Sequence, residues 1–152
     1  MTDWSTADLA ERDNGRLEQH QVETDDGTIV QMGLPASPRF LRLARLTGAS
    51  LGADLGLSLD EIEDLRVAVD ELCAAAIEDA PAGSMLQLEF RTSTSHLALE
   101  GSVLGTWDEP FVLHPVAAAL LEIVADEFSL DQQDGRRSFQ LQAKRPSHDA
   151  NG

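Results

Sequence analysis

The chain is short of cysteine and of basic residues, and it has no long hydrophobic run. Its one cysteine, Cys73, cannot form an internal disulfide, and its place in a helical apolar pattern is typical of a small core residue. No apolar stretch approaches the roughly 20 residues that span a bilayer. The N-terminus, MTDWSTADLA, lacks the basic start and apolar run of a signal peptide. These absences predict a cytoplasmic protein without a disulfide framework.

Basic residues are scarce beside acidic ones. The chain has 11 Lys and Arg against 27 Asp and Glu, which gives a formal net charge of -16. A field of this sign repels polyanions, so it argues against binding of nucleic acid or of an anionic membrane. We therefore expect proteins or small molecules as partners. None of the four histidines has metal-ligand spacing, and we expect no metal site.

The length and composition of the chain are typical of a single globular domain. The length of 152 residues is enough to bury a core, and 42% hydrophobic with 25% charged residues is typical of a chain that folds. Residues 1–26 hold eight acids against two arginines and few large apolar side chains, so we predict an acidic disordered tail there. Residues 146–152 form a second predicted tail, which leaves a domain at 27–145.

Hydrophobic periodicity predicts the order β-α-α-β-β-α-β-β. Apolar residues alternate with polar ones in strands that contain Val30, Leu86, Leu97 and Phe139, and a further strand is expected near 128–132. Hairpin strands with helices between them predict an α+β fold, a two-layer α/β sandwich in which a mostly antiparallel sheet carries the helices on one face.

Three helices are predicted, from Ser37 to near Gly56, from Ser58 to Pro81 and from about Val112 to Asp126. Ser37 and Pro38 open the first, because serine can cap free N–H groups and proline is pre-shaped for the first helical position. Ser58 with Glu61 is a capping box for the second. The predicted buried stripes are Phe40, Ala44, Thr47, Leu51 and Leu55 in the first helix, and Ile62, Leu65, Val69, Leu72, Ala76 and Ala80 in the second.

The segment VAVDELCAAAIEDA, residues 67–80, places Glu71 beside a run of alanines, with Ala75 one turn later on the same flank. The longer stretch LSLDEIEDLRVAVDELCAAAIEDA, with the helix before it and the hairpin after it, resembles the anti-sigma factor serine kinases of the RsbW type. These belong to the GHKL superfamily of Bergerat-fold ATPases. Glu71 is open to two interpretations, a relict catalytic residue or a solvated helix residue.

The resemblance implies roles for individual positions. Glu71 takes the place of the glutamate that assists phosphoryl transfer, and Ala75 stands where an asparagine holds the magnesium on ATP. Gly105 matches one glycine of the adenine box. Val103 lies near that box's aspartate, and the lid carries alanines at 117–119 where the family has glycines. Because an alanine methyl supplies no oxygen ligand, we predict a degenerate nucleotide site with no cofactor, the alternative being ATP with Mg.

Trp107 replaces a small residue of the family's adenine box. It can plug an empty nucleotide pocket or anchor a protein partner. We favour the plug, since Trp107 falls where the family keeps a glycine.

A partner surface is predicted on the first helix. Arg39, Arg42 and Arg45 recur every three residues in an otherwise acidic chain, and arginine can make forked pairs with carboxylates. The small residues Gly48, Ala49, Gly52 and Ala53 leave backbone open to close approach. The alternative is a solvated basic face that balances nearby acids.

The resulting hypothesis is a regulatory protein of the anti-sigma-factor type. It binds a sigma factor or a STAS-type antagonist, and the resemblance implies a homodimer. The alternative is an active ATP-dependent kinase that phosphorylates a STAS partner, with Glu71 in the catalytic role. A third hypothesis is a scaffold whose tails carry the function.

Overall fold

The structure, a computed structural model, describes residues 27–143, which form a five-stranded antiparallel sheet with three helices. The strands are β1 (Thr28–Pro35), β2 (Met85–Thr92), β3 (Leu97–Leu104), β4 (Ala125–Gln133) and β5 (Arg136–Ala143), and the helices are α1 (Leu41–Asp54), α2 (Leu59–Ile77) and α3 (Pro115–Val124). The predicted α+β sandwich and its element order are confirmed. The tails predicted at 1–26 and 146–152 lie outside the described residues.

The strand order in the sheet is β1-β2-β3-β5-β4, so β1 and β4 are the edges. Inward residues of β2, β3 and β5 are buried beneath the helices, as the predicted alternation requires, whereas most of those in the edge strands β1 and β4 are half-buried. In the middle of the sheet, Leu88 pairs with Gly101 and Gly101 pairs with Phe139. The ring of Phe139 occupies the space that a side chain at Gly101 would need. A glycine at this position therefore lets the Phe139 ring lie over β3.

The first helix begins later than predicted, and its buried face is different. Pro38–Phe40 form a 3-10 turn, and Ser37 makes no side-chain capping hydrogen bond. The buried residues of α1 are Leu41, Ala44, Gly48 and Gly52, while Phe40, Thr47, Leu51 and Leu55 are only partly buried. The buried face of α1 is therefore narrower than the spacing of its leucines predicted, and its residues are smaller.

The small residues of α1 serve contact with α2, which corrects the expectation that this backbone is open to a partner. A Cβ atom on Gly52 would lie 2.9 Å from Leu57 Cδ1 and 3.1 Å from Leu65 Cδ2. A Cβ on Gly48 would lie 3.5 Å from Val69 Cγ2. Close approach of helix backbones needs such small residues at the crossing point. Ala49 is half-buried and Ala53 is exposed.

The capping box of α2 is confirmed. The Ser58 hydroxyl accepts from the Glu61 amide at 3.1 Å, and the Ser58 amide donates to the Glu61 carboxylate at 2.7 Å. The helix ends at Ile77, before the predicted end at Pro81. Glu78 takes an extended backbone conformation and Asp79 a left-handed one, φ 61°, so helical geometry stops before the predicted end. Ala80 is therefore not part of the helical stripe.

The third helix is shorter than predicted and passes directly into a longer strand. It spans Pro115–Val124 rather than 112–126, with proline in its first turn. Ala125 already pairs with Ala143, so β4 begins there and not at Phe128. Asp134 and Gly135 both have positive φ and form the predicted two-residue turn between β4 and β5. No helix within residues 27–143 is long and apolar enough to cross a membrane.

Candidate functional site

The position that resembles a catalytic glutamate lies on the flank of α2. Glu71 and Ala75 are one turn apart, and both are half-buried at the border of the core stripe. The Glu71 carboxylate accepts no hydrogen bond from the described residues. The polar groups nearest to this flank of α2 are therefore those that contact Ala75.

Arg137 of β5 reaches the end of α2 and occupies the space beside Ala75. Its Nη1 donates to the Ala75 carbonyl oxygen at 3.3 Å, and its Nη2 donates to the Glu109 carbonyl oxygen at 3.1 Å. Its Nε donates to the Gln132 side-chain oxygen at 2.8 Å. Arg137 is only 5% exposed, so a full guanidinium charge is held inside the domain by these acceptors.

Two aromatic rings enclose the Arg137 guanidinium. Its central carbon lies 4.5 Å from the centroid of the Trp107 ring and 5.0 Å from that of Phe111. Both distances fall within the range of cation–π attraction. We call Trp107, Arg137 and Phe111 the aromatic–arginine stack. It joins the loop 105–114 to β5 and to the C-terminal end of α2.

Trp107 is also fixed at its edge. Its indole Nε1 donates to the Glu78 carbonyl oxygen at 2.9 Å, just beyond α2. A Cβ atom on Gly105 would lie 2.7 Å from Pro81 Cδ and 2.9 Å from Trp107 Cη2. Glycine at 105 therefore fits a packing need of this chain, since any side chain there would displace Pro81 or the indole.

The electrostatics of the site favour a buried cation. Burial lowers the pKa of the Arg137 guanidinium below its ordinary value, and the nearby carboxylates of Glu78 and Asp79 act in the opposite direction. Arginine remains charged at neutral pH after a shift of this kind. The Arg137 guanidinium therefore places a positive charge beside Ala75.

Other positions implied by the resemblance offer no ligand chemistry. Val103, near the place of the adenine-reading aspartate, is fully buried and faces the core. Ala117, in the lid region, packs into the core as well. Within residues 27–143 there is no group of three or more His, Cys, Asp or Glu side chains placed to hold a metal ion.

Sequence reasoning missed Arg137 and Phe111. The sequence did indicate a special role for Arg137. Apolar and polar residues alternate along β5, and Arg137 is on the same inward-facing side of the strand as Phe139, Leu141 and Ala143. An arginine that faces the core from a strand needs hydrogen-bond acceptors around its guanidinium. Phe111 gave no comparable signal, since it lies in an irregular loop.

Cavities form on the other side of the sheet. Two shallow depressions of about 420 Å³ each open on its outer face. They are lined by polar side chains that include Glu89, Glu100 and Gln140, and neither touches Glu71, Ala75 or Gly105. The Gln140 amide donates to the Glu100 carboxylate at 3.0 Å, so this polar row is satisfied within the sheet.

The three predicted partner arginines are in different environments. Arg39 and Arg42 are exposed, and Arg39 lies 4.9 Å above the Phe40 ring. Arg45 is half-buried and forms an ion pair with Asp70 of α2. The first two therefore project as a surface, while the third links α1 to α2.

The two-layer sandwich, with α2 in the middle of the helical layer, is a fold of the GHKL ATPase type. The comparison with solved structures supports this fold. The RsbU and RsbW domains of Rv1364c from Mycobacterium tuberculosis superpose with a TM-score of 0.59 over 78% of this chain and 32% of that chain, at 16% identity.

Sequence similarity points to the RsbW-type kinases in particular. The chain is 39% identical over 51 residues to the serine-protein kinase RsbW of Bacillus subtilis, which is 34% of this chain and 32% of that protein. It is 35% identical over 72 residues to RsbW of Halalkalibacterium halodurans, 47% of this chain and 41% of that protein. The match thus spans about a third of the length of the first of these relatives. No family model matches the chain. The resemblance to RsbW inferred from the sequence is confirmed.

Proposed function

We propose that this chain is a regulatory protein of the anti-sigma-factor type that acts by binding a sigma factor or a STAS-type antagonist and that binds ATP weakly or not at all. The similarity to serine-protein kinases of the RsbW type supports the family context. That similarity covers part of each protein, so the activity and partners belong to this proposal.

One observation carries the loss of nucleotide binding. The aromatic–arginine stack occupies the space between Ala75 and Gly105, which the resemblance assigns to the nucleotide. Opening this space would break the four hydrogen bonds that Arg137 donates and would separate the cation from both rings. Hydrogen bonds made by a buried charge are costly to lose, so the closed form is favoured. The methyl group of Ala75 provides no oxygen for Mg, which adds to the same conclusion.

The kinase remains the second candidate, on a separate observation. The relatives are named serine-protein kinases, and Glu71 keeps the position of the assisting glutamate with its carboxylate unengaged by the described residues. A working kinase on this chain would need another group to hold the metal and a displaced Arg137. Nucleotide binding therefore separates the two candidates.

The decisive experiment is a titration with Mg-ATP and Mg-ADP. A Trp4→Phe background leaves Trp107 as the one tryptophan, because the chain has only two. We expect no heat in calorimetry and no change in Trp107 emission up to millimolar nucleotide, since the indole is already held by Arg137 and Glu78. Saturable binding that a Glu71→Ala substitution weakens would reject the degenerate site and favour the kinase.

The partner surface in this proposal remains Arg39, Arg42 and Arg45, and the geometry supports the first two as the direct contacts. Leu43 and Leu46, which are 38% and 58% exposed, lie on the same outer side of α1. Exposed cations beside apolar side chains suit an acidic amphipathic partner segment. Arg45 would act by holding α1 against Asp70.

A binding assay with purified sigma factors and STAS-domain proteins of the source organism tests this surface. We expect Arg39→Glu with Arg42→Glu to weaken the complex by at least about tenfold, since two attractive contacts become repulsive. Arg91→Glu with Arg136→Glu is the matched control, because both arginines are exposed on the sheet. Equal weakening by both pairs would indicate an effect of net charge and would reject the α1 surface.

A further inference from the structure

The edge strand β1 has one unpaired side. Thr28–Pro35 pair with β2 in unbroken register, and no strand within residues 27–143 pairs with their other side. The Ala36 amide continues this register, because it donates to the Ser84 carbonyl oxygen at 2.9 Å. Hydrogen-bonded and non-hydrogen-bonded pairs alternate along an antiparallel ladder, so every second residue of β1 directs its amide and carbonyl away from β2. The residues whose amides and carbonyls are thus open to a further strand are Ile29, Gln31 and Gly33.

The β1 edge lacks the charges that usually protect an exposed strand. Its sequence, TIVQMGLP, has no charged residue, whereas the opposite edge strand β4 carries Asp126, Glu127 and Asp131. Charged side chains on an edge strand discourage pairing with another chain. A long, uncharged and largely apolar edge therefore favours the addition of a strand at β1 over addition at β4.

The core beside this edge is incompletely covered. Val30 and Met32 face the helices but are only half-buried. Helix α1 packs over the neighbouring strand β2, with Gly52 facing α2. The other side of α1 carries Thr47 and Leu51, which are half-buried as well. A strand added to β1 would lie beneath this side of α1, and every second side chain would cover these groups. We call the open main chain of β1 and these four half-buried side chains the β1 edge site.

We propose that the β1 edge site binds an extended segment of a partner protein as a sixth strand. The segment has apolar residues at alternate positions, which cover the half-buried side chains, and acidic residues at the end that passes Arg39. Local charge favours this occupant, because residues 27–53 contain three arginines and no acid in a chain of net charge -16. Arg39 is exposed in the turn directly after β1, so the acids are expected at the Pro35 end. Glu89, opposite Gln31 in the ladder, is already engaged by Gln31 and Arg91.

Two other occupants suit this edge less well. A second copy brings the same net charge of -16 and the same arginines, so its general field is repulsive. A tight hairpin turn at Gly27 would bring the preceding residues back along β1, but such a turn requires positive φ at its glycine. The φ of Gly27 is not positive, and a Cβ atom there would lie 3.2 Å from the Thr92 carbonyl oxygen. An acidic strand from another protein meets neither obstacle.

Amide hydrogen exchange in the isotope-labelled full chain, titrated with a synthetic peptide, tests the proposal. The probe is a capped peptide of about nine residues, the length of a typical strand, in which two glutamates precede alternating valine and threonine. We expect saturable binding that slows exchange at Ile29, Gln31 and Gly33. The amides of Val30 and Met32 already point to β2, so their exchange should change little. This alternation distinguishes an added strand from any other mode of docking.

The matched control peptide is N-methylated at every valine and threonine, which keeps the side chains and charge but removes the donors of the strand. We expect it to bind at least about tenfold more weakly. On the protein, Gln31→Pro removes an outward amide without breaking the ladder to β2, and it should weaken binding of the original peptide by at least about tenfold. Gln31→Thr loses the same hydrogen bond to Glu89 but keeps the amide, so it should bind as the unaltered chain does. The two peptides on the unaltered chain decide the question even where Gln31→Pro does not fold.

Three results would overturn the proposal. The first is no saturable binding up to about 2 mM peptide, and the second is equal binding of the two peptides. The third is slow exchange at Ile29, Gln31 and Gly33 in the chain alone. Slow exchange that depends on protein concentration would assign the edge to a second copy, and slow exchange that does not would assign it to another part of the same chain.

This inference goes beyond the proposed function, because it concerns the main chain of β1 and not the arginines of α1. The proposed function is tested with whole partner proteins through Arg39 and Arg42. Failure of that function and failure of strand addition at β1 are therefore read from different experiments.

Discussion

At the scale of single residues, Arg137 is the side chain that most determines the structure of the candidate site. Its inward position in β5 would ordinarily hold an aliphatic residue, and its cross-strand partner is the buried Val103. Desolvation of a guanidinium is costly, and it is offset here by four oxygen acceptors and two aromatic faces. A charge held this way ties three separate segments together.

Replacement of Arg137 should therefore destabilise the fold. We expect Arg137→Met to lower the free energy of unfolding by about 3 kcal/mol or more, because the variant loses four hydrogen bonds from a buried cation and its contacts with two aromatic rings. Arg136→Met is the matched control: Arg136 is adjacent and exposed, so its replacement should change stability by less than about 0.5 kcal/mol. Urea unfolding in the Trp4→Phe background, monitored by Trp107 emission, measures both. Equal values for the two variants would contradict a structural role for the stack.

At the scale of elements, prediction succeeded where the determinants are local. The capping box at Ser58 involves residues three apart, and the turn at Asp134 and Gly135 depends on their own backbone preferences. The face of α1 was predicted wrongly because it depends on α2. Gly48 and Gly52 are buried only because Leu65 and Val69 lie against them, and hydropathy of α1 alone favours its leucines.

In the candidate site, too, local features could be predicted from the sequence and non-local contacts could not. Glu71 and Ala75 could be placed on one flank of a helix from their spacing, and Trp107 could be placed near them from the family's motif order. The environment of Ala75 could not be predicted, because Arg137 is 62 residues away in sequence and reaches it through the sheet register. A non-local contact of this kind follows only from the complete topology.

At the scale of the whole molecule, excess negative charge is the dominant electrostatic feature. Three ion pairs form among the described residues, of which the Arg45–Asp70 pair joins two helices. Eighteen acids in the same region greatly outnumber the cations available to pair with them. Self-repulsion therefore opposes the compact state, and the surplus of acids is a property of the domain as well as of residues 1–26.

Salt should consequently stabilise the protein. Raising NaCl from about 0.01 to about 1 M shortens the Debye length from roughly 30 to roughly 3 Å, and we expect the melting temperature to rise by at least about 3 °C. Asp54→Asn, at the C-terminal end of α1, should raise the melting temperature at low salt and reduce this gain, because a carboxylate there is repelled by the helix dipole as well.

Asp60→Asn is the control for position, since it removes the same charge from the first turn of α2, where a carboxylate is favourable. The relief of repulsion and the loss of the dipole interaction then oppose each other, so we expect little change or a decrease at low salt. Calorimetric melting of the three proteins across the salt series measures both effects. A melting temperature that falls with salt in the unaltered chain would mean that its few ion pairs outweigh the repulsion among its acids.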